Sequence, residues 1–408
     1  MVYKKILNNG LTVVIDHSNI KTCTMKYVVA AGALDESGFP CGIAHIAEHM
    51  LFQGTTKRTA NDINKEIIKN GGYNNAYTTF SSTALFISCS TDKWKENLEI
   101  LTDMFWNSVI DSDALIKEKL VIIEELSMYN DDPESKCMDS IEWVMNKNYP
   151  NRRSNVGTIK SVKSITSEDI KKFRKNFYQP SNVILIITGN VPINESIDYI
   201  NQLTCNLTDT FFLNRDNNYF GDILNNRFIK IKKSNLQQTH MAFYIKGVPP
   251  HNSNIFVQDL ISYILGGHAA SRLFGIIRDK LGLTYTITTD ISYYRDTSYI
   301  TGYCIFDYSN LSKVKKIITE QLNLLKYELV NSDELELAKT AYLSTLLLDR
   351  ESTENQTNIH ENNFIWGTDY TIDNIIENIN SITSEQIYEF ADKYINNQNI
   401  IWSAIIPE

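Results

Sequence analysis

Histidine is scarce in this chain, with seven among 408 residues. No uninterrupted apolar stretch reaches the roughly 18 residues of a membrane-spanning helix, so no span is expected. The opening MVYKKILNNGLTVVIDHSN is interrupted by Asn8, Asn9, Gly10 and Asp16 before any apolar run attains secretory length, and an Arg-rich amphipathic presequence is lacking. Cytosol is the expected compartment unless a leader has been removed. Cys23, Cys41, Cys89, Cys137, Cys205 and Cys304 show no C-x-x-C spacing. That argues against a disulfide framework or a thiolate zinc knuckle, and leaves reduced, mostly buried thiols. An excess of positive charge is missing too. The formal net charge is −9, and an acidic surface repels nucleic acid and anionic membranes. A neutral or basic substrate remains.

What is present points first to duplication. The length exceeds one ordinary core and favours at least two domains. SITSEDIKKFRKNFYQPSNVILIITGNVP from Ser164 is echoed by SITSEQIYEFADKYINNQNIIWSAIIPE from Ser381. In both, a helix start places Thr166 or Thr383 as cap, with Asp169 or Gln386 three residues on to reach back. TMKYVVAAG after Cys23 parallels THMAFYIKG after Gln238, and SDALIKEKL from Ser112 parallels SDELELAKT from Ser332. Two copies of one unit are expected, 1–205 and 227–408, joined by the Asn- and Asp-rich stretch 206–226. Each copy runs from strands to helices to strands, and several strands alternate. The expected fold is α+β, two homologous sandwiches each with a largely antiparallel sheet packed by helices.

Two of the few histidines stand four residues apart in FPCGIAHIAEHMLFQGT. Ala, Leu and Met favour a helix there, and Gly54 ends it. At about 100° per residue, His45 and His49 lie roughly 40° apart on the circumference, with Glu48 on the same third. Two neutral imidazoles at this spacing can grip one tetrahedral zinc ion, and an acid beside them can act on water. His-x-x-Glu-His is the inverzincin pattern. A peptidase site needs a third protein ligand. The helix DALIKEKLVIIEELSMYNDDPES offers Glu118 and Glu125, two turns apart on one face. Glu125 would be the ligand and Glu118 an acid orienting a histidine. Taken alone, either could equally be a solvated surface residue.

These residues resemble the pitrilysin and insulysin superfamily, in particular its short branch with the mitochondrial processing peptidase and bacterial relatives. NGLTVV, GGYNNAYTT and LGGHAASRLFGIIRDKLGLTYTI extend the resemblance over nearly the whole chain. It implies one zinc per chain on His45, His49 and Glu125, Glu48 as general base, and Arg278 with Tyr285 steadying the substrate carbonyl. It also implies that Asn75 and Ala76 open a strand, Ala76 to Cys89, on which an extended peptide lies. The implied activity is endopeptidase cleavage of peptides or unstructured segments in an enclosed chamber. A second chain would close that chamber, a homodimer more readily than a heterodimer. The alternative is a non-catalytic subunit of a processing complex.

The second copy lacks the ligand set. Asp259, Ser262 and Tyr263 fall at the places of His45, Glu48 and His49, and Thr345 at that of Glu125. His268 replaces what is usually a glycine in relatives and is read as a loop residue. Phe80, Ser81 and Ser82 stand where relatives often carry charge, which leaves the substrate preference open.

Overall fold

The computed structural model describes residues 1–145, 154–209, 227–396 and 399–408. Most of the expected connection, 210–226, lies outside the described residues.

In the first half the order is β1 (Val2–Ile6), β2 (Thr12–His17), β3 (Thr22–Val29), α1 (Ile43–His49), α2 (Ala60–Lys69), β4 (Tyr73–Thr78), β5 (Thr83–Ser90), α3 (Trp94–Asn107), α4 (Ser112–Asp131), α5 (Pro133–Met145), α6 (Ile159–Ser164), α7 (Ser167–Phe177), β6 (Val183–Gly189) and α8 (Ile193–Thr204). The second half has β7 (Phe228–Lys233), β8 (Thr239–Lys246), α9 (Ile255–Ser262), β9 (Thr284–Tyr293), β10 (Ser298–Phe306), α10 (Leu311–Tyr327), α11 (Ser332–Asp349), α12 (Thr353–Trp366), α13 (Ile372–Ser381), α14 (Ser384–Tyr394) and β11 (Ile400–Pro407).

The sheets carry the duplication. Their strand orders are β1-β2-β6-β3-β5-β4 and β7-β11-β8-β10-β9. With β1 set aside the two orders coincide strand for strand. The β2–β6 and β7–β11 pairs are parallel, while β3–β6, β3–β5 and β4–β5 match β8–β11, β8–β10 and β9–β10 as antiparallel pairs. The fold is thus α+β with two largely antiparallel sheets. Central strands such as β6, buried along its whole length, read as continuous apolar runs because helices cover both faces. The capping boxes form at Thr166 with Asp169 and at Thr383 with Gln386, each worth about 1 kcal/mol to its helix.

One expectation is corrected. The segment read as one strand from Ala76 to Cys89 is a hairpin, β4 and β5, with its turn at 79–82. Thr79 Oγ1 accepts the backbone N–H groups of Ser81 and Ser82, at 3.1 and 2.9 Å. Such local side-chain bonds compete with the ladder and reverse the chain.

The compact units are each discontinuous in sequence. One unit takes Met1–Leu126, the described part of 149–216 and Leu348–Gly367, and the other takes the rest. Helix α5, from the first half of the sequence, packs on β8 and β11, while α12, from the second half, packs on β3 and β6. The two copies therefore exchange equivalent helices. Five of the six cysteines are buried free thiols, and Cys205 is exposed. No described helix is long and apolar enough to cross a membrane.

In the unit holding α5, Glu142 accepts hydrogen bonds from Tyr244 Oη at 3.4 Å and Tyr294 Oη at 3.3 Å. Burial, with Asp139 nearby, pushes its carboxyl from the ordinary 4.5 to about 8. The folded state thus keeps a proton that the unfolded chain releases above about 4.5. Glu142's contribution to stability is complete below that pH and is lost as pH rises through about 8. Melting temperature should decline between pH 5 and 9, and Glu142→Gln should flatten the decline in a calorimetric series. An unchanged slope would show that Glu142 does not drive it.

Candidate active site and metal centre

Helix α1 begins at a glycine for two reasons. Gly42 has φ +88°, and a Cβ there would meet Val156 O at 2.5 Å. The helix start is held from below by Glu36, whose carboxylate accepts Gly42 N at 2.9 Å and Ala44 N at 3.0 Å. Glu36 is fully buried, and burial pushes its carboxyl well above the ordinary range against the pull of those backbone bonds. Ile43, Ala44, Ile46 and Ala47 enter the core, and α1 packs on α7, β4 and β5. His45, Glu48 and His49 are what remains for the other face.

That face meets α4. Glu125 Oε2 lies 3.8 Å from His45 Nε2 and 3.7 Å from His49 Nε2, and the three side chains offer ligand atoms within 4.8 Å of one another. Glu118, two turns earlier, bonds His49 Nδ1 through Oε2 at 2.9 Å, and its Oε1 accepts Gln53 Nε2 at 2.9 Å. Glu48 is buried, and its Oε2 accepts the Thr78 hydroxyl at 2.7 Å.

The electrostatics follow from burial and neighbours. Burial, then the nearby His49, pulls His45 down to about 3, so its ring is neutral. His49 is lowered by burial, but the Glu118 hydrogen bond and the surrounding carboxylates outweigh that and raise it. Burial raises Glu48 despite the Thr78 bond.

The donor set fits a zinc ion. Gaps of 3.7–3.8 Å are too long for hydrogen bonds. They approach the roughly 3.4 Å between two ligands that each sit about 2.0–2.1 Å from a tetrahedral ion. One neutral imidazole, a second fixed through its far nitrogen by the Glu118 carboxylate, and the carboxylate of Glu125 make the borderline N/O set that zinc takes. Among the described residues no other group of three or more acids, histidines or cysteines has metal-binding geometry.

Asn75 and Ala76 lie on β4, the edge strand of its sheet. Thr79 N donates to Ser82 O at 2.8 Å, and the register continues Tyr77 to Ala84 and Asn75 to Phe86. Tyr73, Asn75 and Tyr77 therefore bond to β5, and the backbone groups of Asn74, Ala76 and Thr78 face the open edge. Asn75 Oδ1 accepts Ala76 N at 2.9 Å.

Within the other unit, Arg278 lies on a π-helical turn, Phe274–Lys280, and Tyr285 on β9. The guanidinium sits 4.5 Å from the Phe274 ring centre and 5.0 Å from that of Tyr285, within cation–π range. Asp259, at the place given to His45, accepts hydrogen bonds from Tyr293 and Tyr342. Burial pushes it up to about 7. Two phenols thus surround the position that corresponds to His45 of the first copy. His268 is a half-buried loop residue whose Nδ1 accepts Ala270 N at 3.2 Å.

Residues 12–158 match the family model described as Insulinase (Peptidase family M16), and residues 164–342 match the Peptidase M16 inactive domain. A relative from Rickettsia felis named "Uncharacterized zinc protease" is 30% identical over 98% of this chain and 96% of its own. The chain belongs to the M16 peptidase family. Another M16 relative, the mitochondrial-processing peptidase subunit beta of Neurospora crassa, is 25% identical over 98% of this chain and 86% of its own. The crystal structure of a protease from Helicobacter pylori has the same fold, with a TM-score of 0.93 at 20% identity over 100% of this chain and 99% of that one. The inactive-domain match covers much of the copy that lacks the His-His-Glu set.

Glu36, Gln53 and Thr78 escaped the sequence reading. Gln53 stands four residues after His49, a helical spacing that could have flagged it. Thr78 shares strand parity with Ala76, so alternation would have put both on one face. Glu36 carries no periodic signal.

Proposed function

We propose that this chain is a zinc-dependent endopeptidase acting on peptides or unstructured polypeptide segments. The observation that carries the reading is the convergence of His45 Nε2, His49 Nε2 and Glu125 Oε2, with Glu48 on the same short helix as the two histidines. The names of the M16 relatives support the same class of reaction.

His45, His49 and Glu125 would hold the metal, and Glu118, itself held by Gln53, would fix the tautomer and angle of His49. A zinc ion bound there would polarise a peptide carbonyl and acidify water at its open position. Glu48 accepts the proton of the attacking water and returns it to the leaving amine, a role suited by its raised pKa. The outward backbone groups of Asn74, Ala76 and Thr78 would pair with an extended substrate as an added strand. Recognition through main chain tolerates many sequences. Arg278 and Tyr285 would steady the substrate carbonyl as negative charge develops. A second copy of the chain would close the chamber, since this chain keeps both the ligand set and the Arg/Tyr pair.

Metal content by mass spectrometry and turnover of a quenched fluorescent peptide test the reading. A wild-type chain without zinc and without turnover would instead be a non-catalytic subunit. Arg278→Ala should lower kcat by on the order of 10²-fold with zinc retained. Loss of zinc would show the residue to be misassigned.

A further inference from the structure

The face of the first sheet away from α1 is aliphatic around Val14, Val28, Ala30, Ala84, Ile184 and Ile186, with Ile365 of α12 packed on it. An ion pair is buried beside this patch. Lys26 of β3 and Glu361 of α12 are 1% and 8% exposed and 3.2 Å apart. Burying two charges costs more than packing two aliphatic groups of the same size, so such a pair stabilises little by itself and serves best to fix a geometry. Here every partner is satisfied. Lys26 Nζ also donates to Tyr77 Oη at 3.1 Å and Asn358 Oδ1 at 3.3 Å. Glu361 accepts the Tyr77 hydroxyl through Oε2 and Ser82 Oγ through Oε1 at 3.3 Å.

Two of these partners belong to the hairpin. Tyr77 is on the edge strand β4, and Ser82 closes the turn to β5. Side chains alternate along a strand, so Tyr77 points to α12 while its neighbours Ala76 and Thr78 point to α1. Ala76 packs against the core on that side, and Thr78 holds Glu48. The last edge-facing backbone groups before the turn belong to these two residues. An edge strand has a neighbour on one side only, and its free side is otherwise unrestrained.

We propose that Glu361, with Lys26 and Tyr77, is a positioning residue that clamps β4 from behind. It would set the outward groups of Ala76 for strand pairing and, through Thr78, the aim of Glu48. The inference rests on the peptidase reading for its catalytic half. It also gives the exchange of α12 a purpose, because the second half of the sequence then supplies the anchor for the first half's substrate strand.

Hydrogen exchange followed by mass spectrometry on peptides covering 73–80, run beside steady-state kinetics and metal analysis, tests it. Tyr77→Phe removes only the hydroxyl. The double variant Lys26→Met with Glu361→Met replaces the buried pair by apolar groups of similar length and preserves the fold. Both should raise exchange of the β4 amides roughly tenfold, the effect of losing a hydrogen bond to a charged group. Both should lower kcat and raise KM with zinc content unchanged. His360→Gln breaks a different α12 contact, to Asp16 at 3.1 Å, and should leave β4 exchange at the wild-type rate. Unchanged β4 exchange in the first two variants, or an equal rise in all three, overturns the clamp. A rise in exchange with kcat and KM unaltered overturns its link to catalysis. Absence of zinc and turnover in the wild type would defeat the peptidase reading separately, while the exchange rates still decide the clamp.

Discussion

Glu48→Gln should retain zinc and lose cleavage by on the order of 10²–10⁴-fold, the range of a positioned general base. The substitution keeps the shape of the side chain, and its amide oxygen can still accept the Thr78 hydroxyl that now bonds Oε2 at 2.7 Å. What disappears is the capacity to take a proton. Glu48 is not among the three residues whose ligand atoms converge, so metal analysis should give the wild-type value. It is 6% exposed, and water would not easily supply a replacement base. Kinetics with a quenched peptide and metal analysis on the same sample check both halves. Undiminished turnover would remove Glu48 from the chemistry, and loss of zinc would make it a ligand.

Removing the metal should be as severe. After chelation, peptide turnover should fall below about 1% and return on adding zinc, because both carbonyl polarisation and water activation depend on the ion. Glu125→Ala should give the same loss without rescue at equimolar zinc. His45 and His49 stand one turn apart on one helix, but the proposed third ligand comes from α4, and two imidazoles alone would leave a tetrahedral ion half-liganded. The metal-free form should also melt at a lower temperature, since an ion that binds only the folded chain adds to its stability. Full activity after exhaustive chelation, or tight zinc binding by Glu125→Ala, would overturn the assignment.

Much of the candidate site is legible because it obeys short-range rules. His45, Glu48 and His49 share a face by helical spacing alone, and the seven-residue step from Glu118 to Glu125 does the same on α4. The capping residues Thr166 and Thr383 act on backbone groups three residues away. The repeat is legible too, since equivalent apolar strands and caps recur in the same order, and matching strand orders in two sheets follow from that. The hairpin at 79–82 is harder to read. Its threonines and serines have high or neutral strand preference, and only the side-chain bonds of Thr79 reveal the reversal.

Sequence by itself determined the doubled α+β plan, the grouping of His45, Glu48 and His49 on α1 and the absence of that residue set from the second copy. Tertiary structure alone decided that α5 and α12 change places, that β4 is an open edge, and that Thr78, Gln53, Glu36 and Glu361 stand behind the site. Helical and strand periodicities register which face a residue occupies within its own element. They carry no information on which surface that face meets, and a helix such as α12 satisfies its polar and apolar faces equally well on any sheet of complementary pattern. The choice is made by pairings like that of Lys26 with Glu361, 335 residues apart in sequence, whose buried charges tolerate one docking arrangement and penalise the others.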